Sequence, residues 1–535
     1  MEALPAPSSP IPGPTLPPAG SPGPVPPAPI RDDIPPSSPL FAPPAPQAPT
    51  PLNTSPMPPA PVLPKSPPPP PPPPTVPVSA PAAPGGNALE NLRGLLRPLF
   101  IIGLIVLLGV LAFSFLNLCG LPLIGNLLCR GGNVELTYWG LWEEADVMNP
   151  LIADFVESYR AQDPDTQVSI TYEKRTFGTL DQYKETLLTR LGQETGPGIF
   201  RLHNSWVIDF SSEIRPLPAD VLSEADYTLR FYPSALTSAK VGTDLYAIPL
   251  EYDGLVVFYN KAFFSGVNVA TRIKTWEDFR REAVRLARWA GNDAEDGAIT
   301  RPGAAIGTAE NVAHASDILS LLLVQSGVNP LTQLATQAAA DALTFYTAFS
   351  RTDRVWDATL PNSITAFANS QVPMIIAPTW RALDILNLNP QLKFATIALP
   401  QLPGAAEGGV HLASFWMEGV SADLNEKEAE VAWRFLEFLT REEEQRKFYS
   451  ASAQSRPFGE PYALRSLAGE LSENEFLGPL LTSAPFAIPA KTVDFSGNTP
   501  YADAFKQAIS ALLARTQNAT EALGTAQTTI TQLEQ

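Results

Sequence analysis

The sequence predicts an α/β protein built on a doubly wound parallel sheet, carried behind an apolar span and a proline-rich tail. Three observations lead there. Strand-like and helical patterns alternate from residue 133 onward, no charged side chain occurs between Pro98 and Cys129, and the first 86 residues hold 36 of the 59 prolines. At 535 residues the chain is also too long for one ordinary core.

Residues 1–92 read as a disordered tail. Proline removes backbone donors, and the few large apolar residues cannot bury enough surface to offset the entropy of ordering. The unbroken run Pro67–Pro74 favours polyproline II. A spacer is the simplest reading, with a docking site for proline-reading modules as the alternative.

Residues 93–132 read as an anchor and short linker. A helix of roughly 20 residues crosses the hydrocarbon layer, and Leu99–Leu118 supplies that length. The stretch is too long and too far into the chain for a cleaved signal peptide. Arg93 and Arg97 precede it and only Arg130 follows, so the positive-inside bias puts the tail in the cytoplasm and residues 133–535 outside. Cys119 and Cys129 are the two cysteines, too few for a structural zinc site. A disulfide, two apolar fillers, or lipid on Cys119 in "LNLCG" all remain open.

The outer region opens with the strand "VELTYW". Tyr138 and Trp139 are expected half-buried at its end, and Asn149-Pro150 offers a helix start. Leu151, Ile152, Phe155, Val156 and Tyr159 then recur at helical spacing. "QVSITYEKR" alternates as a strand, "LDQYKETLLTRLG" is helical, and "GIFRL" is a third strand. This β-α-β-α-β order defines a parallel sheet with right-handed crossovers. "TDLYAIPLEYDGLVVFYNKAFF" reads as an extended crossing between two lobes. "KTWEDFRREAVRLARWAG" is a helix with Thr275 as N-cap and Asp278 three residues later, close to a capping box, and it carries Trp276 and Trp289 as core residues. "SDILSLLLVQSG" and "AAADALTFYTAFSR" continue the helical pattern. "SQVPMIIAPTW" is a strand ending at Trp380, and "EKEAEVAWRFLEFLTREEEQRKFY" a single long amphipathic helix carrying Trp433.

In such sheets ligands bind beyond the carboxyl ends of the strands. "GLWEE", "YEKRTFGT" and "HNSWVIDF" follow the first three strands, so Trp142, Glu173, His203, Asn204, Ser205 and Trp206 are expected on one rim. Large rings at the mouth of a turn are where a ligand with apolar faces would be covered.

Residues 133–535 resemble the family 1 extracellular solute-binding proteins of ABC importers, the group with maltose-, oligosaccharide- and glycerol-phosphate-binding members. "LTYWGLW" is similar to the first strand and its aromatic turn. "YAIPLEYDGLVVFYNKAFF" with "TWEDF" carries the most specific motif, and "ITAFANSQVPMIIAPTW", "AEVAWRFLEFLTREEEQ" and "SRP" at 455–457 follow in order. Three positions depart from the pattern: Gly198 in "GPGIF", and Ala377 and Ser370, where glycine is common.

The resemblance implies a two-lobe, type II periplasmic-binding-protein-like fold with a hinge, closing on its ligand. The expected lobes are about 133–248 with 412–454, and about 249–411 with 455–535. It also implies ligand contacts for Trp142, Trp380 and Trp416, each in a loop after a strand, and for Trp206. Glu173 and Asp253 are the polar candidates on opposite lobes, joined by Asn204, Ser205, Tyr252, Asn311 and Arg456. Arg456 could instead pair with an acidic neighbour, and Tyr252 could merely pack at the hinge.

Other classes fare worse. Residues 133–535 carry 50 acidic and 31 basic side chains, a surface that argues against nucleic acid or anionic lipid. His203, His314 and His411 form no metal-spaced pair, and no nucleophile elbow, HExxH or phosphate-binding loop occurs. A glycosidase would need two carboxylates about 5–9.5 Å apart, and nothing marks Glu173 or Asp253 as an acid. The expectation is therefore a membrane-tethered extracytoplasmic receptor. It would bind a small polar solute, with carbohydrate the favoured class, and deliver it to ABC importer permease subunits without cofactor, metal or nucleic acid. The alternative is a tethered sensor that signals through the membrane helix to the tail.

Overall fold

The computed structural model describes residues 132–292 and 294–535. The proline-rich tail, the apolar span 99–118 and both cysteines lie outside the described residues. Among the described residues no helix is long and apolar enough to cross a membrane.

Two sheets organise the fold. The first has five strands: β1 (Asn133–Gly140), β2 (Gln167–Lys174), β3 (Ile199–His203), β4 (Ile248–Pro249) and β9 (Trp416–Val420), in the order β2-β1-β3-β9-β4. β1 runs parallel to β2 and β3, as the β-α-β-α-β pattern predicts. β9 enters antiparallel to β3, pairing Glu418 with Arg201. The second sheet has β6 (Met374–Pro378) and β7 (Phe394–Ile397) flanking β5 (Leu255–Asn260), both antiparallel to it. β8 (His411–Ala413) pairs in parallel with β10 (Ala487–Pro489).

Helices Ala145–Gln162 and Glu426–Leu439 cover the first sheet with an aromatic face in which Phe155 meets Phe435 and Phe438 at centroid distances of 5.1 and 5.5 Å. Helices Ala315–Gln325, Gln337–Arg351, Thr499–Leu513 and Ala519–Leu533 pack together on the second sheet's side. Three segments cross between the sheets. One joins β4 to β5, one joins β8 to β9, and the third, around Pro461 and Tyr462, bonds back to Tyr252 and Glu251. Gly254 lets the first two approach closely: a Cβ there would collide with the Leu412 carbonyl.

Several expectations need correction. The first helix begins at Ala145, not at Pro150, because Val147 and Met148 extend the apolar stripe of Leu151 and Ile152. Pro150 is exposed, so water can satisfy the carbonyl its missing N–H leaves free. The capping box at Thr275 forms, but its helix stops at Leu286. Trp289 lies instead on a short strand, with Nε1 donating to the Arg354 carbonyl at 2.9 Å. The long helix is two, Glu426–Leu439 and Glu442–Ser452, broken at Thr440 and Arg441. Three glutamates at the second helix's start suit its positive end, and Gln445 donates to the Leu439 carbonyl across the break. Tyr138 and Trp139 are buried rather than half-buried.

Candidate functional site

The turn after β1 is held from beneath. Glu143 is buried, and both its oxygens accept from Arg201 Nη1, at 2.8 and 2.7 Å. Arg201 Nε donates to Glu418 Oε1 at 2.7 Å, so one guanidinium ties the turn to the centre of the first sheet. Burial would lower the affinity of Arg201 for its proton, but the charges of Glu143 and Glu418 outweigh it and hold that affinity well above the ordinary value. Burial also raises Glu418 to a pKa of about 7, against the pull of Arg201. Tyr172 donates its hydroxyl to the Glu143 carbonyl at 2.9 Å and crosses so close to Gly140 that a Cβ would meet it. With Glu143 pinned, Trp142 has nowhere to go but outward. It is 44% exposed, with its ring edge-to-face on Trp416 at 5.6 Å.

The facing turn follows β6. Asp253 is 8% exposed and organises it. Its Oδ1 accepts from Gly254 N, Thr379 N and Thr379 Oγ1 at 2.6, 2.9 and 2.8 Å, and its Oδ2 accepts from Trp380 N at 3.0 Å. Burial pushes the Asp253 pKa up to about 6, although those four bonds stabilise the anion. The Arg381 guanidinium lies 4.0 Å from the Trp380 ring centroid and 4.2 Å from that of Phe495.

Between the two turns lies a cavity of about 300 Å³. Trp142, Trp416, Trp380 and Phe495 supply its flat walls. Its polar lining comes from His203 and Ser414 on one side, Asp253, and the carboxyl pair Glu251 and Glu460 with Arg456. His203 is a neutral ring: Nδ1 accepts from Ser205 N at 3.3 Å, so Nε2 carries the proton and donates to Ser414 Oγ at 3.0 Å. Burial, then Lys184, pushes its pKa down to about 3. Burial and then the charge of Glu460 raise Glu251 well above the carboxylate range. Burial opposes ionisation of Glu460 too, but Arg456 and the hydrogen bond from Glu251 hold it below its ordinary value. The carboxylates of Glu143, Glu251 and Glu460 come within 4.8 Å of one another, yet Arg201 and Arg456 already answer two of them. A wider groove of about 750 Å³ adjoins past Trp142 and Phe495, along the start of helix Leu180–Leu191.

Of the residues expected at the site, Trp142, Asp253, Trp380, Trp416 and Arg456 line this cavity. The other six lie elsewhere. Glu173 accepts from Trp139 Nε1 at 3.0 Å and pairs with Arg175 at 3.2 Å. Asn204 is buried, donating to Ser238 and accepting from Phe415 N. Ser205 holds the far side of His203 and accepts from Asn498 Nδ2 at 2.7 Å. Trp206 is 0% exposed, stacked on Phe210, and donates to the Ser496 carbonyl at 2.6 Å. Tyr252 is buried against Tyr232 and Phe415. Asn311 spends both ends on Thr308, Trp356, Asp357 and Leu360. The cavity residues that sequence reasoning missed are Glu251, Ser414, Glu460, Asp494 and Phe495. Glu251 stood inside the quoted "LEYDG", but only the fold brings Glu460 to it.

Two α/β lobes joined by three crossing segments, with a ring-lined cavity between them, form the architecture of a hinged solute-binding protein. Residues 156–461 match the family of bacterial extracellular solute-binding proteins, and the chain belongs to it. A binding protein of Brucella abortus (strain 2308) is 21% identical over 327 residues, 59% of this chain and 74% of its own length. Among solved structures, a cyclo/maltodextrin-binding protein complexed with maltotetraose shares the fold at 14% identity and a TM-score of 0.59, covering 76% of this chain and 98% of its own. The cyclic α-maltosyl-1,6-maltose binding protein of Arthrobacter globiformis does so at 17% and 0.55, covering 75% of this chain and 98% of its own.

Proposed function

We propose that the protein is a membrane-tethered receptor that captures a carbohydrate outside the cytoplasm and hands it to an ABC importer. The cavity between the lobes carries this reading. Sugars present weakly apolar C–H faces and polar edges, and four flat rings with a rim of carboxyls, a hydroxyl and a guanidinium match both. Closure would bring Trp142 and Trp416, on the first sheet, against Trp380 and Phe495 from the other side. Trp142, Asp253, Trp380, Trp416 and Arg456 would contact the solute. Glu173, Asn204, Ser205, Trp206, Tyr252 and Asn311 would shape the lobes without touching it. The lobe boundaries would fall at the crossings, near residues 248, 412 and 455. Maltotetraose in one relative of the same fold supports the ligand class. The adjoining groove leaves room for more than one sugar unit.

Tethering rests on the apolar span 99–118. It would raise the receptor's concentration beside permease subunits in the same membrane. The test is calorimetric titration of the full-length protein, in detergent micelles, with mono- and oligosaccharides, polyols and peptides. Saccharide binding that is weakened by Trp142→Ala and by Trp380→Ala is expected. Binding of a peptide or polyol with no saccharide binding would refute the reading.

A further inference from the structure

We infer that the sugar taken by this cavity carries a free amino group, so that the ligand is an amino sugar with an ammonium directed at Asp253. The inference rests on the carbohydrate reading and narrows it. It follows from the charge balance of the cavity lining. Four carboxyl groups reach it: Glu251, Asp253, Glu460 and Asp494. Arg456 answers Glu460, and Lys506 answers Asp494. His203 offers no positive charge, being buried and neutral. Asp253 makes no ion pair among the described residues, although it is more than nine-tenths buried and lies against the cavity.

Its bonds are unevenly shared. Oδ1 accepts three and Oδ2 only one, from Trp380 N, so Oδ2 keeps acceptor capacity for a ligand. A sugar hydroxyl would use that capacity but bring no countercharge, leaving the anion to the four hydrogen bonds it already has. An ammonium would make a shorter, charge-assisted bond and also neutralise it. Arg381, paired with Asp384, already lies over Trp380 and Phe495, but Trp142 and Trp416 act in the same direction, because aromatic faces attract a cation that has left water. The unequal affinities of Glu251 and Glu460 for their shared proton keep that pair from adding a second full charge. One ammonium is therefore the charge the site lacks.

The experiment is calorimetric titration of full-length protein in detergent micelles at neutral pH. The ligands are glucosamine, galactosamine and mannosamine, the N-acetylated and plain hexose of each ring, and 1,4-diaminobutane. Amino sugar binding at least tenfold tighter than both counterparts of the same ring is expected. In Asp253→Asn that preference should fall to within about threefold, whatever the change in the affinity common to both sugars. Should the variant fail to fold, the wild-type comparison decides alone. Equal affinity for amino sugar and plain hexose would overturn this inference and leave the carbohydrate reading standing. So would hexose binding without amino sugar binding. Diaminobutane binding with no saccharide bound would overturn both.

Discussion

Replacing Trp142 with alanine tests binding and stability together. The ring is 44% exposed and held by one edge-to-face contact with Trp416. A tryptophan of up to about 250 Å² therefore leaves roughly 100 Å² open to the cavity. At about 25 cal/mol per Å², a sugar face covering half of that contributes about 1.3 kcal/mol, close to tenfold in Kd. The lost ring pair costs stability about 0.5–1.5 kcal/mol, and the roughly 140 Å² of the side chain already buried costs about 3.5 kcal/mol more. Titration calorimetry with the saccharide found for the wild type, beside a thermal melt, measures both. The expected result is Kd weakened about tenfold with Tm lowered as well. An unchanged Kd would refute the placement of Trp142 at the ligand, since no other described contact would explain its exposure.

Three further outcomes follow. Trp206→Phe removes the indole N–H that the Ser496 carbonyl accepts from and leaves a small void, so it should cost at least about 1–3 kcal/mol, read as a fall in the urea midpoint. His203 has a folded pKa of about 3, below the unfolded 6.5, so its contribution is complete above pH 6.5 and is lost as pH falls toward 3. His203→Gln should therefore flatten the decline in stability between pH 7 and 5 by up to about 1.4 kcal/mol per unit, checked by urea melts at the two pH values. Ser370 holds φ +58° at an exposed turn, a conformation that glycine adopts without a Cβ penalty. Ser370→Gly should raise stability by about 0.5–1 kcal/mol in a thermal melt, and an unchanged or lower Tm would count against strain there.

Much of this architecture was legible in the sequence because its signals are local. The alternation in "QVSITYEKR", the capping box at Thr275 and the β-α-β-α-β order each depend on neighbours a few residues away. The turns of Trp142 and Trp380 were readable for the same reason, since each follows a strand, whereas Trp416, expected in a loop, is the first residue of β9 and pairs with His203. What failed depended on distant partners. Trp206 has the same local signature as Trp142, and only the approach of Ser496 buries it. Glu173 is claimed by Trp139 on the adjacent strand. Phe495 sits in an unremarkable "DFSGN", at φ +56°, and enters the cavity through its neighbours Trp380, His314 and Arg381. The break at Thr440 escaped because both half-helices share one amphipathic rhythm.

Arg201 also sets the order in which the molecule can be completed. Its partner Glu418 lies on a strand that arrives about two hundred residues later, after nearly the whole second sheet. At roughly 5–20 residues per second, synthesis leaves a gap of about 10–40 s between the two. Throughout that interval β3 has an open edge and a guanidinium with half its neutralising charge missing. A chain cut anywhere before residue 416 ends with the first sheet lacking the strand that joins β3 to β4.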